Sequence, residues 1–293
     1  MNLQHNLDTT LSWSTVNKMQ LFDDKFDLIS HSINTDNNNL KLLKILPHYN
    51  ELTMYTASKQ FLISPSPNVK DLGITVDNKL NWSQHIFTIS RKSKQISGWI
   101  LSVFYCREPY TMLTLFNALV RSRLEYCCEL WNPHLIGDIN VIEKVQRSFT
   151  HRIDGMRELN YWERLEKLKI FSLQRRREQN IIVHVWKILN QVYPNTVDMS
   201  FKENRRSNAI RAVVKPLPRL QGKPLTVYEE SFLVKAAKLW NCVPPKLTRI
   251  TVLGTFKTQL NKFLKDIPDK PPIPGYPYIN NNSLIHQNLS LNL

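Results

Sequence analysis

Asp23 and Asp24, in the run Leu21-Phe22-Asp23-Asp24, are the residues whose type and adjacency come nearest to catalysis. Paired carboxylates of this kind hold Mg2+ ions about 3.5–4 Å apart in two-metal chemistry. Such a site needs a further carboxylate on an upstream strand, which the sequence does not supply. The pair therefore reads as solvated acids in a turn at a helix end. His134, His151 and His184 have no Ser or Cys partner at motif spacing, and neither a G-x-S-x-G elbow nor a glycine-rich nucleotide loop occurs. Cys106, Cys127, Cys128 and Cys242 lack C-x-x-C pairing and nearby His at ligand spacing, which disfavours zinc. They read as buried free thiols, with Cys127 and Cys128 on different faces of one helix. No catalytic residue, metal ligand or cofactor is expected in this chain.

The basic residues carry more information. The formal charge is +15, and it is unevenly spread. Residues 1–67 hold 5 Lys/Arg against 6 Asp/Glu, residues 68–188 hold 19 against 12, and residues 189–293 hold 15 against 6. A basic surface is the footprint of a protein that neutralises phosphates, because release of condensed counterions drives binding. Solubility charge alone is the plainer alternative. Arg91, Lys92 and Lys94 lie off the stripe defined by Ile89, Ile96 and Ile100, and Arg121 and Arg123 flank Leu124 in the same way. Arg147, Arg152 and the run Arg175-Arg176-Arg177 complete the set of candidate phosphate contacts. Glu125, Glu143 and Glu178 are near enough in sequence for part of this set to be local ion pairing instead. Trp131, Trp162, Trp186 and Trp240 fall on apolar stripes, so core packing explains them better than base stacking.

The elements that must position these residues divide the chain in four, and the fold class expected is mostly α. Residues 1–80 read as α+β: an amphipathic helix with Leu7, Leu11 and Val16, short strands at Phe26–Ile29, Met54-Tyr55 and Phe61–Ile63, and a strand at 69–76 containing Gly73. Residues 34–39 (NTDNNN) form a polar loop. From residue 81 to 193 the apolar residues recur at helical spacing, and Trp82, Ile86, Ile89, Ile96, Trp99, Ile100 and Val103 trace the first stripe. Further helices follow Pro109, start near Asp138, cover 160–169 and start near Ser172. Residues 194–267 read as an extended basic connector with Pro194, Pro216, Pro218 and Pro224, then helices over Phe232–Cys242 and Leu253–Leu264. The Pro/Asn-rich tail, 268–293, is expected to be disordered. No apolar run approaches the roughly 20 residues of a membrane span, and the N-terminus has no signal-peptide pattern. The protein is expected to be intracellular.

Several strings go further than periodicity. LVRSRLEYCCELWNPH, IGDINVIEKVQRSFTHRI and YWERLEKLKIFSLQRRREQNIIVHVWKIL resemble the segment after the polymerase core of jockey-like non-LTR retrotransposon reverse transcriptases. In matching order, LDTTLSWSTVNKMQL with DKFDLIS is similar to the helix and strand that follow the catalytic aspartates, and VKDLGITVD is similar to the primer-grip motif. SFLVKAAKLWNCVP, TFKTQLNKFL and IPDKPPIPGY resemble the terminal region of the same proteins. The resemblance implies a late-palm remnant at 1–80, a thumb-like helical bundle at 81–193 and a terminal region beyond. It also implies an RNA/DNA template–primer duplex as partner, with Lys70 on a phosphate and Gly73 allowing close backbone approach in the primer grip. The catalytic F/Y-x-D-D hairpin and its Mg2+ ions belong to intact relatives. This chain reads as a truncated copy without polymerase activity, located in nucleus and cytoplasm. The rival reading is a helical structural or interaction protein without nucleic-acid function, or an unselected relic.

Overall fold

A computed structural model of the chain describes residues 3–19, 21, 26–29, 52–55, 60–195, 199–204, 208–214, 231–270 and 282–285. Asp23 and Asp24, the loop at 34–39, Pro216, Pro218 and Pro224 lie outside the described residues. The architecture is mostly α with a small β part. The chain divides into two units, Met1–His85 and Ile86–Leu293, so the division falls within the first turn of a helix.

In the first unit, helix α1 (Leu3–Val16) accompanies two antiparallel hairpins, β1–β2 (Leu52–Tyr55, Gln60–Ile63) and β3–β4 (Asn68–Asp71, Ile74–Asp77). Leu7 and Leu11, one helical turn apart, pack with Leu28 and Ile63, and Leu21 and Phe26 close the cluster. Val16 does not join this stripe; it is exposed, and Ser14 is buried in its stead. Leu28 forms an isolated parallel bridge to Pro65 rather than a strand of its own. The Gln4 side-chain amide reaches the backbone of Thr53, donating to its carbonyl (2.6 Å) and accepting from its N–H (3.0 Å). It thereby satisfies the outer edge of β1 as a neighbouring strand would.

The expected strand at 69–76 is instead a hairpin. Leu72 and Gly73, with φ of 44° and 88°, form a two-residue turn of the kind that matches strand twist. Glycine suits the second position, whereas Leu72 adopts the left-handed conformation against the steric preference of its Cβ. His85 ends the unit; its Nδ1 accepts from the N–H of Thr75 (3.2 Å), and burial lowers its pKa.

The second unit begins along helix α2 (Ser83–Val103) and continues through α3 (Pro109–Leu115), a π-helical stretch (Phe116–Arg121), α4 (Ser122–Glu125), α5 (Cys128–Trp131), α6 (Ile136–Thr150), α7 (Tyr161–Leu168) and α8 (Leu173–Leu189). The single helix expected after Pro109 is therefore broken. Cys127 has φ of 47°, and the indole of Trp131 braces the break by donating to the Tyr126 carbonyl (2.8 Å). Asp138 sits in the first turn of α6 rather than at its cap, which is Leu135. Asn160 and Glu163 make a reciprocal capping box on α7, and Ser172 caps α8 through the Arg175 N–H.

The expected extended connector contains a hairpin, β5 (Ser200–Asn204) and β6 (Ala209–Val213). Helices α9 (Phe232–Asn241), α10 (Pro245–Thr248) and α11 (Leu253–Lys265) follow. Side chains from α9 and α10 complete the outer edge of β6. Trp240 Nε1 donates to the Ile210 carbonyl (2.9 Å), and the Ile210 N–H donates to Thr248 Oγ1 (3.1 Å). Asn241 bonds both backbone groups of Ala212, each at 3.0 Å. The core beneath is formed by Ile181, Ile182, Val185 and Trp186 of α8, Trp240 of α9, and Phe256 and Leu260 of α11. Phe256 lies between Trp186 and Trp240, with ring centroids 5.7 and 6.0 Å away. Part of the expected tail is packed: Asn282 and Leu284 are fully buried, and Leu284 belongs to this core. Residues 271–281 and 286–293 lie outside the described residues.

Candidate nucleic-acid interface

Helix α2 contains no Asp or Glu, and its basic residues Arg91, Lys92 and Lys94 are all exposed. They have no ion-pair partner among the described residues. The buried side of the helix is Ile86, Ser90, Ser93, Ser97 and Ile100. The opposite side carries Phe87, Arg91, Gln95 and Trp99, four exposed residues in one i, i+4 row. Trp99, expected on the apolar stripe, is 56% exposed, and Phe87 is 62% exposed. The sequence reading missed both as surface aromatics. The signal was available: the i+4 row from Phe87 passes through Arg91, whereas the core row passes through small serines.

The arginine run at the start of α8 is placed very differently. Arg175 and Arg177 are 0% and 1% exposed, so neither can meet a phosphate on the surface. Arg175 donates to the Pro268 carbonyl (3.1 Å) and Arg177 Nε donates to Asn132 Oδ1 (3.1 Å). Arg176 forms a two-pronged pair with Glu125 at 2.8 and 2.9 Å, and this carboxylate raises its pKa. Arg176 is therefore ion-paired, but through a tertiary contact with an acid far along the chain rather than through a local pair at helical spacing.

Around these arginines lies a buried polar layer. Glu143 accepts from the N–H groups of Leu173 (3.1 Å) and Gln174 (3.3 Å) and from the Tyr161 hydroxyl. A carboxylate there answers the positive end of α8. Asp269 accepts from the N–H (2.6 Å) and hydroxyl (2.8 Å) of Ser172, and Asn282 donates to it as well. Glu178 accepts from the Leu284 N–H (3.0 Å). Burial pushes the carboxyls of Glu143 and Glu178 up, opposed at Glu143 by the Tyr161 hydroxyl and at Glu178 by Ser283. This is structural chemistry that fastens α6, α7, α8 and the terminal segment together.

The other expected contacts are dispersed. Lys70 is exposed on β3, and Gly73 is exposed in the turn with nothing within 4 Å of a Cβ placed on it. The turn's positive φ accounts for this glycine without any close approach. Arg121 is half-buried 3.6 Å from Glu125, and burial and then Arg176 lower its pKa. Arg147 is half-buried with its guanidinium 4.9 Å from the centre of the Tyr161 ring. Arg123 and Arg152 are exposed. A groove of about 820 Å³ between α7 and the end of α11 mixes Glu163, Glu166, Asp266 and Asp269 with Lys169, Lys265 and Lys270. That balance of charge does not suit a phosphate backbone.

Trp131, Trp186 and Trp240 are buried in agreement with the core reading, and Trp162 is half-buried. Among the described residues no three His, Cys, Asp or Glu come together as metal ligands, and no helix is long and apolar enough to cross a membrane. The thiols are not uniformly buried. Cys106 and Cys127 are exposed, while Cys128 is buried and its pKa is pushed up to about 12 by burial. Native protein at mildly alkaline pH should therefore lose Cys106 and Cys127 to iodoacetamide while Cys128 survives until unfolding. Peptide mapping checks this, and rapid native labelling of Cys128 contradicts it.

No protein-family model and no solved structure matches the chain. It is similar to an uncharacterized protein of Caenorhabditis elegans, 28% identical over 128 residues. The match covers 43% of this chain and 65% of that protein's length.

Proposed function

We propose that the chain corresponds to the part of a jockey-like non-LTR retrotransposon reverse transcriptase that follows the catalytic aspartates. On this reading these residues bind the backbone of an RNA/DNA template–primer duplex. The ordered resemblance of strings from residue 7 to 276 supports the descent. One structural observation supports the binding: three exposed cations on an acid-free helical face of a strongly basic chain. Phosphate recognition needs unpaired positive charge at the surface, and α2 supplies it where the α8 arginines do not. On this reading, Mg2+ would be held by the catalytic hairpin of an intact relative.

Duplex affinity should fall steeply as salt rises. The variant R91A/K92A/K94A should bind more weakly at low salt, and its plot of log affinity against log salt should be shallower by roughly 2–3, at about 0.9 per phosphate contact. Fluorescence anisotropy with an RNA–DNA hybrid measures both. A flat salt dependence in the parent protein rejects the reading.

A further inference from the structure

We propose that the outer face of α2 is a single-strand site, on which unpaired bases stack against Phe87 and Trp99 while Arg91, Lys92 and Lys94 hold the intervening phosphates. This rests on the reading that α2 contacts nucleic-acid backbone, and it extends that reading to a different form of the ligand. Phe87, Arg91, Gln95 and Trp99 form one continuous ridge of exposed side chains. At 1.5 Å per residue the two aromatics stand about 18 Å apart along the axis. Lys92 and Lys94 lie on either side of that ridge, so the line between the rings is flanked by positive charge.

A duplex cannot use the aromatics, because its bases are already stacked on one another. Strands with unpaired bases present π-faces and phosphates in alternation, which is the complement of an aromatic–cation–amide–aromatic row. The amide of Gln95, exposed between Arg91 and Trp99, can donate and accept at a sugar or a base edge. These two large apolar side chains lie away from the buried side of the helix, which is at Ile86 and Ile100. Charge complementarity selects the occupant. An apolar protein surface would be met by the rings but repelled by the desolvation of three cations between them.

The test uses the full chain, a labelled single strand of about twelve nucleotides and a hybrid duplex of the same sequence. F87A/W99A should weaken single-strand binding roughly tenfold or more and leave duplex binding within twofold, and F87Y/W99F should restore the strand affinity. Circular dichroism confirms that the exposed substitutions leave the fold intact. Equal loss on both ligands, or loss on neither, overturns the stacking site. In the second case a continuing effect of R91A/K92A/K94A on the duplex keeps the backbone-binding reading. If F87A/W99A instead abolishes self-association seen by sedimentation without changing strand affinity, the face is a protein interface and the proposal is wrong.

Discussion

Glu143→Ala is expected to lower the unfolding free energy by about 3–5 kcal/mol, because it removes the acceptor shared by three donors of a buried polar layer. The N–H groups of Leu173 and Gln174 and the Tyr161 hydroxyl all lose their acceptor. Unmade hydrogen bonds at buried donors cost roughly 1–3 kcal/mol each before relaxation. The buried Arg177 also loses a counter-charge. Glu143→Gln separates geometry from charge, since its amide oxygen can still accept from α8. Burial raises the Glu143 pKa, so the folded chain holds that proton more tightly than the unfolded chain. Stability from this group is complete below the unfolded carboxyl value and declines as pH rises through the raised one. Glu143→Gln removes that decline, so its stability relative to the parent should improve from acidic toward neutral pH. Urea melts at a series of pH values measure the difference, and a flat or opposite trend would refute the assigned titration.

Trp240→Ala should cost about 3–5 kcal/mol as well, by a different route. The side chain is fully buried and in ring contact with Phe256, so truncation opens a large cavity in the core shared by α8, α9 and α11. It also leaves the Ile210 carbonyl without its indole donor. Trp240→Phe keeps most of the volume but not the N–H, and should retain well over half of the lost stability. The sharper readout is hydrogen exchange: in Trp240→Ala the β5–β6 amides should exchange much faster than those of α6 and α7. Uniform acceleration across the second unit would show that the hairpin does not depend on this contact.

Local features of the fold were legible wherever neighbours in sequence are neighbours in space. The Asn160…Glu163 spacing and Ser172 announce the starts of α7 and α8, and the burial of Ile182, Val185 and Trp186 follows from a 3.6-residue period. The hairpin at Ser200–Val213 was not legible, because the groups that complete its edge come from Trp240, Asn241 and Thr248, far along the chain. The arginine run failed for a related reason. Three consecutive cations look like surface until Glu125, Asn132 and Pro268 are brought to them by tertiary packing. At α2 the apolar spacing was read correctly for Ile86 and Ile100 and wrongly for Trp99, since hydrophobicity alone does not tell a core residue from an exposed aromatic beside cations.

The amide side chains that sit on strand edges have a consequence for assembly. An open β-edge is a template on which a strand from another molecule can add, the first step toward domain exchange or fibril growth. Gln4 at Thr53 and Asn241 at Ala212 already occupy both backbone groups of an outward-facing residue, and Trp240 and Thr248 do the same at Ile210. An incoming strand must first expel these side chains, so β1 and β6 are closed to self-templating at these positions.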